Sequence, residues 1–224
     1  MRVLTPPATD RRAMNWPLLA LAFTAAAAIF ILRARIGAAS GPLLADTDDA
    51  MRMVVVRDFL DGQGWYDTVQ HRLNTPWGGE IHWSRLVDLP IALLILVARP
   101  FAGPAGAEVF AAYAWPLLLF AVLLWVSARF ALRLAGPIGL LPALILPILS
   151  PAVTNEFPPG RIDHHNVQVV LTFAIAWAAV ESLRRPGFAV LAGVLCATAV
   201  AIGTESLPAI AAAILAYGLV WTFM

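Results

Sequence analysis

Uncharged apolar runs about as long as a bilayer is thick constrain this chain more than any other feature. The first, "WPLLALAFTAAAAIFIL" (Trp16 to Leu32), holds no charged residue. A helix needs about 20 such residues to cross the hydrocarbon core, where the backbone must satisfy its own hydrogen bonds. The same rule predicts helices over Asn15–Leu32, Glu108–Ser127, Gly136–Pro151, Val167–Leu183, Gly187–Gly203 and Leu207–Met224. The expected fold class is therefore all-α: a polytopic integral membrane protein with about six transmembrane helices. Composition agrees, since 60% of the residues are hydrophobic and only 13% charged, outside the range of soluble domains. A net charge of +1 makes nucleic acid an unfavoured partner. The lone Cys196 excludes an internal disulfide, a zinc ribbon and a CxxC redox pair. Arg2, Arg11 and Arg12 ahead of the first run, with "GAAS" after it, resemble a signal peptide. The run is long for one, however, and Arg33 and Arg35 separate it from the small residues, so a retained helix is expected.

Residues 33–107 form the expected first outer loop, and 152–166 the second. The first contains "LPIALLILVARPF" (Leu89 to Phe101), whose unbroken apolar core is too short to span comfortably. Cytoplasmic loops carry the excess arginine. With the N-terminal arginines inside and this segment lying in the interface, Arg129, Arg133, Arg184 and Arg185 also fall inside. If the segment spans, all four fall outside. An interfacial or re-entrant helix is thus expected, although Arg33 and Arg35 run against the rule. This topology puts all four histidines and eight first-loop acids on one outer face, together with Glu156, Asp163 and Glu205.

Two polar clusters then share that face: "ADTDDAMRM" (Ala45 to Met53) and "GRIDHHNVQ" (Gly160 to Gln168). Closely spaced carboxylates suit hard divalent cations, which take one or two of them plus phosphate oxygens. An added imidazole suits Mn²⁺ as well as Mg²⁺. Such an ion would stabilise a phosphate leaving group, and Arg57, Arg72 and Arg85 are natural phosphate partners. Plainer readings stand beside these. Asp163 sits where a helix should start and would serve as an N-cap; the histidines would be solvated at headgroup level. Glu205 would line the same cavity or simply meet water. Trp65, Trp77 and Trp83 fit interfacial anchoring better than sugar stacking. "DHH" also names soluble metal phosphoesterases, but no alternation of strand and helix is visible.

The order of these features resembles the GT-C glycosyltransferases, most closely the N-terminal transmembrane part of oligosaccharyltransferase catalytic subunits. In that family the first-loop aspartate is followed nine residues later by an Arg-Asp pair, which here selects Asp48 ahead of Arg57-Asp58. "GGEIHWSRLVDLP" (Gly78 to Pro90) resembles a segment of archaeal members. "GRIDHHNVQ" resembles their second motif. The resemblance implies Asp48 and Asp163 as catalytic residues and Asp48, Asp163 and His165 as ligands of Mg²⁺ or Mn²⁺. It points to Arg57, His82, Arg85 and Glu205 as substrate-binding. The implied activity is metal-assisted glycosyl transfer from a polyprenyl-phosphate- or pyrophosphate-linked donor, with the acceptor open. The implied setting is the outer face of a bacterial or archaeal inner membrane. Residues 1–224 would then be an incomplete GT-C-like domain, since Met224 precedes the family's further helices, later glutamate and Trp-Trp-Asp motif. The rival reading is a noncatalytic or transporter-like scaffold for lipid-linked solutes.

Topology is testable by labelling single cysteines at positions 48, 133 and 166 in a Cys196→Ala background. Positions 48 and 166 should label from one side of the membrane and 133 from the other. Opposite labelling of 48 and 166 would dismantle a shared site.

Overall fold

The computed structural model describes residues 14–38, 43–44 and 46–223. Arg2, Arg11 and Arg12, on which the expected inside placement of the N-terminus rests, lie outside them, as do Ala39, Ser40 and Met224. The described chain is almost wholly helical. Helix α1 covers Trp16–Ala38, α2 Thr47–Leu60, α3 Arg85–Leu134, α4 Leu140–Leu149, α5 Pro151–Thr154, α6 His165–Ser182, α7 Gly187–Ile202 and α8 Leu207–Phe223. A two-residue antiparallel ribbon, β1 (Val69–Gln70) with β2 (Gly79–Glu80), closes the loop between α2 and α3.

Three segments among the described residues are long and apolar enough to cross a membrane: Trp16–Gly37, Arg85–Leu134 and Thr204–Phe223. Gly136–Leu149 and Gly187–Ile202 are apolar but shorter. Helix α1 continues past the expected end at Leu32 through Arg33 and Arg35. Arginine is a good helix former, and its long stem reaches away from apolar surroundings. The expected helix over 136–151 is found over Gly136–Leu149. A 3₁₀ turn at Gly136–Gly139 precedes α4, and Ser150, ahead of Pro151, is extended (ψ 115°), as a pre-proline residue prefers.

The first expected loop changes most. Residues 47–60 are helical because Asp46 caps them, its side chain accepting the Asp48 N–H at 2.9 Å, with Asp48 and Asp49 favourably placed in the first turn. The segments 89–101 and 108–127 belong to one long helix interrupted at Gly103 (φ 68°, ψ 175°). That backbone region is almost exclusive to glycine. Pro104 then opens the second arm, where its missing N–H costs nothing. Exposed Leu86, Leu89, Leu93, Leu96 and Phe101 recur every three to five residues along the first arm, a stripe opposite the buried Val87, Ile91 and Ile95.

Helix α6 is the centre of the packing, touching α3, α7 and α8. On one side Met53, Val56, Ile91, Ile162, Ile175, Ile202 and Ile210 join α2, the first arm, α6, α7 and α8. On the other, Phe30, Phe120, Leu144 and Phe157 join α1, the second arm and α4, with Phe120 edge-on to Phe30 at 5.1 Å. The loop before α6 is pinned at Gly160 (φ 99°), whose N–H donates to the Ala112 carbonyl at 2.8 Å. A Cβ at Gly160 would collide with the Leu43 carbonyl oxygen, whereas one at Gly103 would meet open space.

Gly160→Ala should therefore destabilise the chain by about 2 kcal/mol or more, and Gly103→Ala by less, from backbone strain alone. Chemical denaturation of the detergent-solubilised protein reads both. A larger loss at 103 would contradict this packing.

Candidate functional site

The stripe Asp49, Arg52, Met53 and Val56 follows helical spacing, and all four residues are buried. Two charges on an otherwise apolar face demand partners. Asp49 finds them in the second motif. Its Oδ1 accepts the backbone N–H groups of Ile162 (2.7 Å) and Asp163 (2.9 Å), and its Oδ2 the Arg161 guanidinium at 2.7 Å. Arg161 also reaches Asp46 and Glu156, both at 3.0 Å. The two polar clusters thus meet, but through Asp46 and Asp49.

Arg52 is wholly buried. It donates to Asp88 Oδ1 and Asp163 Oδ1, each at 2.9 Å, and lies 3.2 Å from His164 Nδ1. Its guanidinium sits 4.4 Å above the Trp83 ring. Arg85 holds the other Asp88 oxygen at 3.2 Å and donates to the carbonyls of Val55 and Asp67 and to Gln63 Oε1. The result is a chain of alternating charge, Arg85–Asp88–Arg52–Asp163–His164. Beyond it, His164 Nε2 faces Glu205 Oε1 at 3.4 Å. Gln168 fixes that last turn by donating to the Ala199 and Gly203 carbonyls.

Burial pushes the Asp163 carboxyl up, but hydrogen bonds from His164 and Arg52 outweigh it and hold the group well below the usual carboxylate range. The same bond to Asp163 raises His164 above its ordinary value. Burial raises Asp49 against the pull of Arg161. The N-cap of α6 is His164, without a side-chain cap bond, so Asp163 is not the helix cap.

Asp163, His164 and His165 each offer a ligand atom within 4.8 Å of the others. Asp163 Oδ1 and His164 are committed to the network. Asp163 Oδ2 is buried without a hydrogen bond and lies 3.4 Å from Nε2 of the half-exposed His165. The 3.4 Å contact is a loose Asp–His ion pair; it also equals the separation, about 3.0–3.4 Å, of two donors that share one ion at about 2.1 Å each.

The other expected residues are placed as follows. Asp48 is exposed on the first turn of α2, outside the 4.8 Å cluster, and no hydrogen bond or ion pair holds its carboxylate among the described residues. Helical geometry turns it away from the buried stripe that carries Asp49. Arg57 is forked onto Glu108 at 2.7 and 2.6 Å. Arg85 is buried with both terminal nitrogens held, so it acts on the fold and is not free to meet a phosphate. His82 is exposed, and Glu205 belongs to the site through His164. Asp49, Arg52, Asp88, His164 and Arg161 were not singled out from sequence as site residues. A charge on the apolar stripe of α2 was the available signal for the first two.

Asp49→Ala should cost about 2 kcal/mol or more, because it leaves two buried backbone donors without an acceptor and takes one of three carboxylates from the half-buried Arg161. Asp49→Asn, which keeps Oδ1 as an acceptor, should cost less. Denaturation midpoints of the two variants check this; equal midpoints for parent and Asp49→Ala would refute the bridge.

No protein-family model matches the chain, and no curated protein or solved structure matches it either, so the site is read from its own geometry.

Proposed function

We propose that this chain is a GT-C-type membrane glycosyltransferase domain, transferring sugar from a polyprenyl-phosphate- or pyrophosphate-linked donor at the outer face of a bacterial or archaeal inner membrane. One observation supports the reading best. Where the two motifs meet, most polar groups are consumed by one another, but buried Asp163 Oδ2 makes no hydrogen bond and faces only His165 Nε2, at 3.4 Å; the Asp48 carboxylate stands outside this cluster on the exposed first turn of α2, with no partner among the described residues. Asp46 and Asp49 are spent on the helix cap, on Arg161 and on backbone N–H groups. Asp48 is the one carboxylate of "DTDD" left for a ligand.

In this reading Asp163 and His165 would hold Mg²⁺ or Mn²⁺, with Asp48, which lies outside their cluster, as the expected third ligand; the ion would stabilise negative charge on the departing phosphate. The acceptor oxygen or nitrogen adds to the sugar C1 as the C1–O bond to phosphate breaks; the phosphate leaves with the bonding electron pair, and the acceptor's proton passes to the departing phosphate or to water. Arg52 keeps Asp163 ionised. His164, held by Asp163 and Glu205, packs its ring against His165 at 4.5 Å between centroids and limits how that ring turns. Tyr66, Trp77 and His82 are exposed in the segment between α2 and α3, residue types suited to a lipid headgroup boundary.

The second reading, a noncatalytic scaffold, draws on the same economy: so many charges pair internally that the network would hold the helices together without chemistry. Transfer of radiolabelled sugar from a lipid-linked donor separates the two. Asp48→Ala and His165→Ala should each lower transfer about a hundredfold or more, the worth of a few kcal/mol of leaving-group stabilisation, with unchanged denaturation midpoints. Chelation should do the same reversibly. Full activity of Asp48→Ala at equal protein level would favour the scaffold.

A further inference from the structure

The two oxygens of Asp163 are in different circumstances. Oδ1 receives Arg52 Nη2 at 2.9 Å and lies 2.8 Å from His164 Nδ1, which fills its two lone-pair directions. Oδ2 makes no hydrogen bond although it is buried. The asymmetry is built in from behind. Arg52 cannot swing away, because its other terminal nitrogen is held by Asp88 Oδ1 at 2.9 Å and its face is covered by Trp83. Asp88 is held in turn by Arg85 at 3.2 Å. Arg52, Asp88, Arg85 and Asp163 are all buried.

We propose that Arg52, with His164, restricts Asp163 to one-oxygen coordination and thereby makes the centre selective for a small divalent cation over Ca²⁺. The inference rests on the metal reading above. Ca²⁺ takes six to eight oxygens and often both oxygens of a carboxylate; Mg²⁺ and Mn²⁺ are smaller and accept single-oxygen carboxylate ligands in octahedral sites. A carboxylate with one oxygen sealed by a guanidinium and an imidazole serves the second kind of ion and penalises the first. Arg52 touches no substrate here. It is a positioning residue acting through Asp163.

Binding of Mn²⁺ to the full chain in nanodiscs, followed by the free-Mn²⁺ electron paramagnetic signal, gives the test. Mg²⁺ and Ca²⁺ serve as competitors. In the parent, Ca²⁺ should compete about tenfold or more weakly than Mg²⁺. The combined variant Arg52→Met, Asp88→Asn and His164→Phe opens Oδ1; an amide at position 88 can still accept from Arg85, and the bound cation is then the counter-charge of Asp163. It should narrow that gap about fivefold or more. Arg52→Lys, which keeps a charged donor, should preserve most of it. A folded triple variant with the parent's Ca²⁺ to Mg²⁺ ratio overturns the inference while leaving the metal reading intact. A parent that binds no Mn²⁺ overturns both. Infrared difference spectra of the parent, with ¹³C-labelled aspartate and with Asp163→Asn as control, need no folded triple variant. Metal binding should give the widely split carboxylate stretches of one-oxygen coordination; the narrow splitting of two-oxygen coordination would overturn the inference.

Discussion

A guanidinium with no exposure to water has to be paired, and the cost of leaving it unpaired is several kcal/mol. Arg52 is that group here, and most of the polar architecture follows from it. Its two carboxylates come from different places: Asp88 from the first arm of α3, Asp163 from the loop before α6. Burying Arg52 on α2 therefore requires three segments distant in sequence to converge. Asp88 then needs a second cation, and Arg85 supplies it. Arg85 in turn satisfies the Asp67 carbonyl and Gln63, so the ribbon-bearing loop is tied to the same point. Apolar packing of Met53, Val56, Ile91 and Ile162 surrounds this knot and excludes water from it, which strengthens every charge interaction inside.

Long apolar runs were legible in the sequence because burial in any apolar medium leaves the same trace. Helices α6, α7 and α8 lie within two residues of their expected bounds, whereas α1 and the second arm of α3 run about six or seven residues past their expected ends. Helix α2 was read as loop, since its residues alternate charge with apolar groups and show no clean periodic face. The signals were present in a different form. Asp46 stands in capping position, two acids follow in the first turn, and Asp49, Arg52, Met53 and Val56 recur at helical spacing. What obscured the face was that half of it is charged, which makes sense only once Asp163 and Asp88 are known to be opposite. The expected helix over 136–151 is found over Gly136–Leu149, with its first turn 3₁₀, and it ends where Pro151 restricts Ser150.

The site divides along the same line. "DHH" was found because its residue types are chemically conspicuous, and Asp163 and His165 do face one another. The arginines were harder. Arg57 and Arg85 have the composition of phosphate ligands, yet one is forked onto Glu108, 51 residues away, and the other is consumed by four acceptors. Sequence shows that an arginine is available; it does not show which carboxylate fifty residues off has already claimed it. The "DTDD" motif carried the same ambiguity. Adjacent carboxylates on a helix start point in different directions, so the cap, the bridge and the free group are three separate roles for Asp46, Asp49 and Asp48.

Helix α6 also bears on which chemistry the fold suits. Its 18 residues span about 27 Å, close to the thickness of a hydrocarbon core. Asp163 and His164 stand at one end. Glu181 stands at the other, paired with Arg133 at 3.1 Å and Arg185 at 3.4 Å. Between Gln168 and Glu181 the helix holds no ionisable residue, and α7 beside it holds no Asp, Glu, Lys, Arg or His. A path for a charged solute through the middle would need ionisable groups or backbone breaks at mid-depth. This packing instead separates two polar ends by an apolar centre. The charged groups gather at the two ends of α6, one of them where α2, the loop before α6 and the turn carrying Glu205 meet, and the proposed transfer reaction draws only on that end.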